Sequence, residues 1–172
     1  MALNCCASEG YCAGRKAKDY PRDMTVPVPK FLIAVKLSSS AQERLQTMHE
    51  SVLVVVYFDG DPLPGQGTYN APFRDVFLGD DRKLADGDDI ATFDATRISQ
   101  SNWNRLANKD YFVTVNVVSA RKASKNNLLS CTVPEDRLST FAGKTTEVSC
   151  TLIDERNTVV NSALKSLGSS PK

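Results

Sequence analysis

Residues 51–58, SVLVVVYF, are the stretch that decides the fold. They are almost all β-branched or aromatic, and such residues are enriched in β-strands. Their continuous apolar character predicts a strand that is buried on both faces and therefore lies in the centre of its sheet. The stretch is too short to cross a bilayer.

Shorter strands are predicted on both sides of this central strand. They occupy residues 30–38, 73–79, 90–93, 111–120, 128–133 and 146–153. Short helices are predicted at residues 38–50 and 99–110, each with serine N-caps, and as one turn that ends at Gly143. This pattern predicts a mainly β fold: an antiparallel β-sandwich of immunoglobulin- or transthyretin-like type with two or three short helices. A single sheet in an α+β fold is the alternative.

Length and composition indicate a single globular domain. The chain has 172 residues, of which 41% are hydrophobic and 24% charged. We expect an irregular arm containing cysteine and proline over residues 1–29, the β-sandwich over residues 30–155, and a weakly helical or disordered tail over residues 156–172. The net charge is only +1, from 21 basic and 20 acidic residues, so we expect no nucleic-acid partner.

Two cysteines, Cys131 and Cys150, each lie in the middle of a predicted strand. If the two strands pair, or face each other across the sandwich, their sulfur atoms come within disulfide distance. We therefore expect a disulfide between them. Two reduced thiols that pack as small hydrophobic groups are the alternative.

The other three cysteines lie in residues 3–12, LNCCASEGYC. Their spacing lacks the paired C-x2-C ligands of zinc sites, and the only histidine, His49, lies in a predicted helix, so we expect no metal. We expect a local disulfide of Cys12 with Cys6 or Cys5. The remaining cysteine is then either a free thiol or the attachment point of a lipid anchor.

Disulfides persist in oxidising compartments. The cysteines therefore predict an oxidising compartment and a mature chain that lacks its signal peptide, with the lipid anchor left open as above. A cytosolic chain with free thiols is the alternative.

No motif of catalysis is present in the sequence, which lacks G-x-S-x-G, H-E-x-x-H, P-loop and G-x-G-x-x-G patterns. The acidic stretch GDDRKLADGDD, residues 79–89, does not match the spacing of an EF-hand loop and is typical of a solvated hairpin turn. We therefore expect neither a cofactor nor enzyme activity. Carboxylate chemistry by an unrecognised type of enzyme is the remaining catalytic alternative.

Binding is predicted instead on two loops, because binding residues concentrate on loops that a rigid scaffold positions. Proline and glycine punctuate the long loop FDGDPLPGQGTYNAPF, residues 58–73, and a basic turn, RKASKNN, occupies residues 121–127. The two loops form one surface if they lie at the same end of the sandwich. The candidate binding residues are Asp59, Asp61, Tyr69, Phe73, Arg121, Lys122 and Lys125.

Three segments, VYFDGDPLPG (residues 56–65), VNVVSARKASKNNLLSCTV (115–133) and FAGKTTEVSCTLIDE (141–155), resemble a group of small proteobacterial periplasmic proteins and lipoproteins. The resemblance covers residues 31–155. It implies a cell-envelope protein located in the periplasm or, as a lipoprotein, at the outer membrane, in its mature form without a signal peptide. By analogy with similar lipoproteins, it also implies an immunity or inhibitor protein that binds a secreted toxin or hydrolase. A module that stacks a glycan or small ligand on Tyr69, Phe73 and Trp103 is the alternative.

Overall fold

The computed structural model describes residues 24–66, 76–85 and 90–155 of the chain. Ten strands lie in these ranges: β1 (Thr25–Pro27), β2 (Phe31–Leu37), β3 (Val52–Gly60), β4 (Val76–Leu84), β5 (Ile90–Phe93), β6 (Arg97–Ser99), β7 (Phe112–Ser119), β8 (Leu129–Cys131), β9 (Glu135–Arg137) and β10 (Thr145–Leu152). The helices α1 (Ser39–Met48), α2 (Gln100–Asn104) and α3 (Leu138–Phe141) connect them.

Eight of these strands form two four-stranded sheets, and the fold is the mainly β sandwich that the sequence predicts. Sheet I has the order β5-β2-β10-β8, and sheet II has the order β4-β3-β7-β9. The described pairs in both sheets are antiparallel except β2 with β10, which run parallel. Strands β1 and β6 form a separate antiparallel pair.

Strand β3 is one of the two inner strands of sheet II, hydrogen-bonded to β4 on one side and to β7 on the other, and its apolar sequence predicts such a central position. Val54, Val56 and Phe58 point into the core between the sheets. Phe31 of sheet I stacks on Phe93 with ring centroids 5.1 Å apart, and both rings are fully buried. Burial of such side chains is the main stabilising contribution to the sandwich.

The outward side of β3 is also apolar, which explains why its sequence does not alternate. Leu53, Val55 and Tyr57 alternate with the core residues along the strand and do not belong to the core cluster. Val55 is nevertheless only 5% exposed. It lies between its direct cross-strand partners, Arg82 on β4 and Asn116 on β7.

The predicted disulfide between Cys131 and Cys150 is confirmed. The two residues are direct partners in the antiparallel register of β8 and β10, with a Cα–Cα distance of 4.0 Å. Cys150 is buried in the core, and Cys131 packs against it at the sheet edge. The bridge thus links the short edge strand β8 to the inner strand β10. The second predicted bridge, of Cys12 with Cys6 or Cys5, lies outside the described residues.

Strand β4 extends beyond the predicted strand, through residues 80–84 of the acidic stretch. A β-bulge permits this, because Phe58 pairs with Gly79 while Asp59 pairs with Phe77. Gly79 has a φ of 145°, which residues with a side chain rarely adopt. Beyond the bulge, charged residues face outward on an edge strand, an arrangement that discourages pairing with another sheet.

The last residues of the predicted arm include the short strand β1. Thr25–Pro27 pairs with Arg97–Ser99, and Val28 is buried in the core. Residues 25–28, in the predicted arm, thus contact the residues of the predicted β-sandwich domain. The predicted tail, residues 156–172, lies outside the described residues.

The helix ends match the predicted capping residues. Ser38 is the N-cap of α1, and its Oγ accepts a hydrogen bond from the Ala41 amide at 3.1 Å. Ser99 is the N-cap of α2, and Gly143 follows α3 with a φ of 71°. Among the described residues, no helix has the length and apolar character needed to cross a membrane.

Candidate binding surface

In the predicted binding loop, residues 61–66 form a turn that we call the β3 turn. The Leu63 amide donates to the Arg105 carbonyl at 2.7 Å, and the Ala107 amide donates to the Asp61 carbonyl at 2.9 Å. These two hydrogen bonds tie the turn to the segment that follows α2. Tyr69 and Phe73, also predicted to bind, lie outside the described residues.

Gly60 explains how the turn approaches this segment so closely. A Cβ atom at residue 60 would lie 2.8 Å from Cδ2 of Leu106, which is itself buried. Only a glycine fits there without displacing the leucine. The close approach brings Asp61 beside the residues after α2.

Asp61 forms an ion pair with Arg137, whose role the sequence did not indicate. The two side chains are 3.7 Å apart. The Arg137 guanidinium also lies 3.8 Å from the centroid of the Phe112 ring and donates to the Asp110 carbonyl at 2.8 Å. Arg137 thus contacts three groups, and its ion pair with Asp61 links the turn to β9.

Asp110, next to this ion pair, caps α3 from outside the helix. Its carboxylate accepts hydrogen bonds from the Ser139 hydroxyl at 2.7 Å and the Ser139 amide at 2.9 Å. These two bonds, with a smaller contribution from the Arg137 charge, lower the pKa of Asp110. The contact between serine and carboxylate is therefore explained as a helix cap.

Asp59, the remaining described acid of the predicted loop, lies on the outward side of β3. It pairs in register with Phe112 on β7 and with Phe77 on β4. Phe77 is 54% exposed. Acidic and aromatic side chains therefore meet at this end of sheet II.

The predicted basic residues Arg121, Lys122 and Lys125 lie on an exposed turn after β7. Arg121 has a left-handed backbone with a φ of 59°, which is uncommon for a residue with a side chain. The Lys122 ammonium donates to the Ser51 hydroxyl at 2.9 Å. This hydrogen bond connects the basic turn to the residue before β3.

Glu50 holds the backbone of this turn, and no feature of the sequence pointed to it. Its carboxylate accepts hydrogen bonds from the amides of Lys122, Ala123 and Ser124, at 3.0, 2.8 and 3.2 Å, and from the amide of Ser51 at 3.0 Å. Burial raises the pKa of this carboxyl, but the four amides outweigh it and lower the pKa to about 2. The charged Glu50 carboxylate thus fixes the backbone of the basic turn through these hydrogen bonds.

The two predicted binding loops lie at opposite ends of sheet II. The basic turn contacts Ser51, before β3, whereas the β3 turn follows Gly60 at its end. At the usual rise per residue, the ends of β3 are roughly 25 Å apart. Among the described residues, Asp59 and Asp61 therefore lie far from Arg121, Lys122 and Lys125.

Trp103, a predicted stacking group for a glycan, is half-buried. The Lys109 ammonium lies 4.4 Å from the centroid of its ring and donates to the Trp103 carbonyl at 2.6 Å. One face of the ring is therefore occupied by a cation. This contact does not favour the glycan-binding alternative.

Two aspartates in the described part of the acidic stretch interact with other side chains of the protein. Asp80 forms an ion pair with Arg82 at 3.0 Å, and Asp81 accepts a hydrogen bond from the Thr96 hydroxyl. Over residues 24–66, 76–85 and 90–155, no group of three or more His, Cys, Asp or Glu side chains is placed to hold a metal ion.

The chain matches no protein-family model, and no curated protein or solved structure shows significant similarity to it.

Proposed function

We propose that the protein is a non-enzymatic cell-envelope protein that binds a protein partner, as an immunity or inhibitor protein that neutralises a secreted toxin or hydrolase. The disulfide Cys131–Cys150 supports a periplasmic or outer-membrane location, because such bridges persist in oxidising compartments. The resemblance to small periplasmic proteins and lipoproteins points in the same direction.

The preorganised β3 turn is the observation that carries the proposal. Backbone hydrogen bonds to the segment after α2 fix its course, and Pro62 and Pro64 stiffen it further. A loop held in one conformation before binding loses less entropy when it docks. The turn therefore suits recognition of a folded protein.

The chemistry of the turn also fits a protein interface. Leu63 and Pro64 offer apolar contacts beside the ion pair of Asp61 and Arg137. Interfaces commonly combine an apolar centre with charged groups at the rim. We assign Leu63 to the centre and Asp61 to the rim.

Replacing Leu63 with Asp should weaken binding of the partner at least about tenfold, because a charge would enter the centre of the interface. The measurement is the affinity of the partner captured from the native host, determined by calorimetry with wild type and variant. Tyr69→Ala, in the second half of the loop, should weaken binding in the same direction without altering the melting temperature.

Lys36→Glu is the matched control for these variants. Lys36 is exposed on β2, in the opposite sheet, so the variant changes a surface charge away from the turn. It should bind the partner as wild type does. Equal affinities of wild type, Leu63→Asp and Tyr69→Ala would contradict the proposed surface.

A further inference from the structure

The chain changes sheets between β8 and β9, at Val133. Just before this residue, the Thr132 amide donates to the Ser149 carbonyl of β10 at 2.9 Å, in sheet I. Just after it, the Pro134 carbonyl accepts from the Val115 amide of β7 at 2.9 Å, in sheet II. Strands β8 and β9 thus form one edge strand that switches sheets, and it covers only the second half of β10.

Hydrogen bonds between β10 and β2 show which backbone groups of β10 face its other neighbour. The Lys144 carbonyl accepts from the Leu32 amide, and the Cys150 carbonyl accepts from the Ser38 amide, each at 2.9 Å. Successive residues of a strand direct their backbone groups to opposite sides, so the even-numbered residues of β10 bond to β2. The odd-numbered residues of β10 therefore direct their amides and carbonyls towards the β8 side.

Two odd-numbered residues of β10, Thr145 and Glu147, have no backbone partner on that side within the described part of the chain. Ser149 and Thr151 bond to β8, but the chain leaves sheet I before it reaches Glu147. The Ser149 amide also donates to the Thr132 hydroxyl at 3.1 Å, and no described side chain caps the amides of Thr145 and Glu147 in this way. These two residues form what we call the β10 edge, with two free amides and two free carbonyls.

The longest of the described edge strands, β4, is by contrast protected against an added strand. Its second half carries four successive charged residues, 80–83. Asp81 and Lys83 pair in register with core residues of β3 and therefore lie on the inner side of the sheet. Inward-pointing charges on an edge strand discourage further pairing. The β10 edge lacks such charges and contains two threonines, Thr145 and Thr146, which favour strands.

The side chains beside the β10 edge determine which kind of strand fits it. Glu147 is exposed and has no ion-pair partner among the described residues. It favours a basic side chain directly opposite on an added strand. Val133 is 57% exposed and lies in line with the free edge, where the chain leaves sheet I. It offers an apolar contact to the end of the added strand.

We propose that the β10 edge binds a short extended segment of another protein, which adds a strand to sheet I. The two amides and two carbonyls take four main-chain hydrogen bonds, and an extended backbone supplies matching groups at this spacing. A basic residue of the segment lies opposite Glu147, and an apolar residue contacts Val133. Because only two residues of β10 are open, the contact is short and reversible.

This inference goes beyond the proposed function and does not depend on it. The folded partner docks on the β3 turn, whereas the extended segment pairs with β10. A chain that binds an extended peptide without capturing a folded partner would fail only the proposed function. A chain that captures a partner through Leu63 without binding the peptide would fail only this inference.

Nuclear magnetic resonance of the isotope-labelled full chain tests the β10 edge. The probe is an acetylated and amidated heptapeptide of alternating valine and lysine. We expect it to shift the amide signals of Thr145 and Glu147 and to slow their hydrogen exchange. The amides of Thr146 and Val148, which face β2, should exchange slowly with and without the peptide. No shift at Thr145 and Glu147 up to the solubility limit of the peptide would overturn the proposal.

Methylated forms of the same peptide test whether it adds as a strand. Lysines opposite Glu147 direct their own amides towards β10, whereas the valine amides point away. Methylation of the lysine amide nitrogens should therefore weaken binding more than about tenfold, because donors to the β10 edge are lost. Methylation of the valine amide nitrogens is the matched control and should leave the affinity unchanged. An equal effect of the two modifications would overturn the proposed strand pairing.

Two variants of the protein test the edge from the other side. Thr145→Pro removes an amide that bonds to no described group and places a ring on the edge, so it should abolish binding at an unchanged melting temperature. Glu147→Lys should weaken binding of the lysine peptide and strengthen binding of the same peptide with glutamate in place of lysine. Glu43→Lys, an equal charge change on the exposed side of α1, should bind as wild type does. Wild-type affinity of both Thr145→Pro and Glu147→Lys for the lysine peptide would overturn the proposal.

Discussion

Cys131→Ser should lower the free energy of unfolding by about 3 kcal/mol in oxidising buffer, the largest loss that we expect from a single substitution. The disulfide joins residues 19 positions apart, so its loss frees the unfolded chain from a closed loop. In reducing buffer, wild type and variant should unfold almost alike. Chemical denaturation under both conditions measures the difference.

Cys131 suits this test better than Cys150. Cys131 lies at the sheet edge, whereas Cys150 is buried in the core, where a serine hydroxyl would add a cost of its own. The double variant Cys131→Ser with Cys150→Ser serves as the control for a free thiol. Equal losses for Cys131→Ser in oxidising and reducing buffer would show that packing, and not the bridge, stabilises this edge.

Glu50→Gln should lower the free energy of unfolding by roughly 2 kcal/mol at neutral pH, because four amides lose a charged acceptor. Glu50 is 8% exposed, so water replaces these bonds poorly. The neutral amide also has only one oxygen, and its NH2 group would face amides that themselves donate. Glu147→Gln, exposed on β10, is the control and should have little effect.

The effect of Glu50 should also depend on pH. Since folding lowers its pKa from 4.5 to about 2, its contribution is fully present above about pH 4.5. It should be lost as the pH falls towards 2, and the difference between wild type and Glu50→Gln should shrink over this range. Asp110, with its lowered pKa, contributes to both proteins and cancels in the difference. If the difference in unfolding free energy between wild type and Glu50→Gln stayed constant between pH 6 and pH 3, it would contradict the role of the Glu50 carboxylate as acceptor for the four amides.

The parts of the fold that the sequence predicted are those with strong local signals. Strand β3 is a dense run of β-branched residues, and Ser38 and Ser99 are typical caps beside helical segments. The disulfide was also predictable, because each of Cys131 and Cys150 lies centrally in its predicted strand. In each case, the residues that determine the structure are close together in the sequence.

The elements that were missed depend on distant partners. Strand β6 has three residues and forms only against β1, which lies in the predicted irregular arm. The extension of β4 requires the bulge at Gly79, which follows from the register against β3. Short charged segments of this kind carry little strand signal of their own.

In the candidate binding surface too, the features with a local sequence signal were predictable and those that depend on distant residues were not. The β3 turn was predicted from its prolines and glycines, but its ion pair with Arg137 was not, because only the pairing of β7 with β9 brings Arg137 there. Glu50 binds amides 72 to 74 residues later in the chain. No local pattern marks a glutamate that serves a turn so far away in sequence.

The most direct test of the proposed function is hydrogen–deuterium exchange on the protein with and without a partner purified from its native host. We expect a stoichiometric protein partner and slower exchange at residues 61–66 and 105–107, with unchanged exchange along β10 in sheet I. Failure to recover a partner, or protection confined to sheet I, would contradict a binding role for the β3 turn.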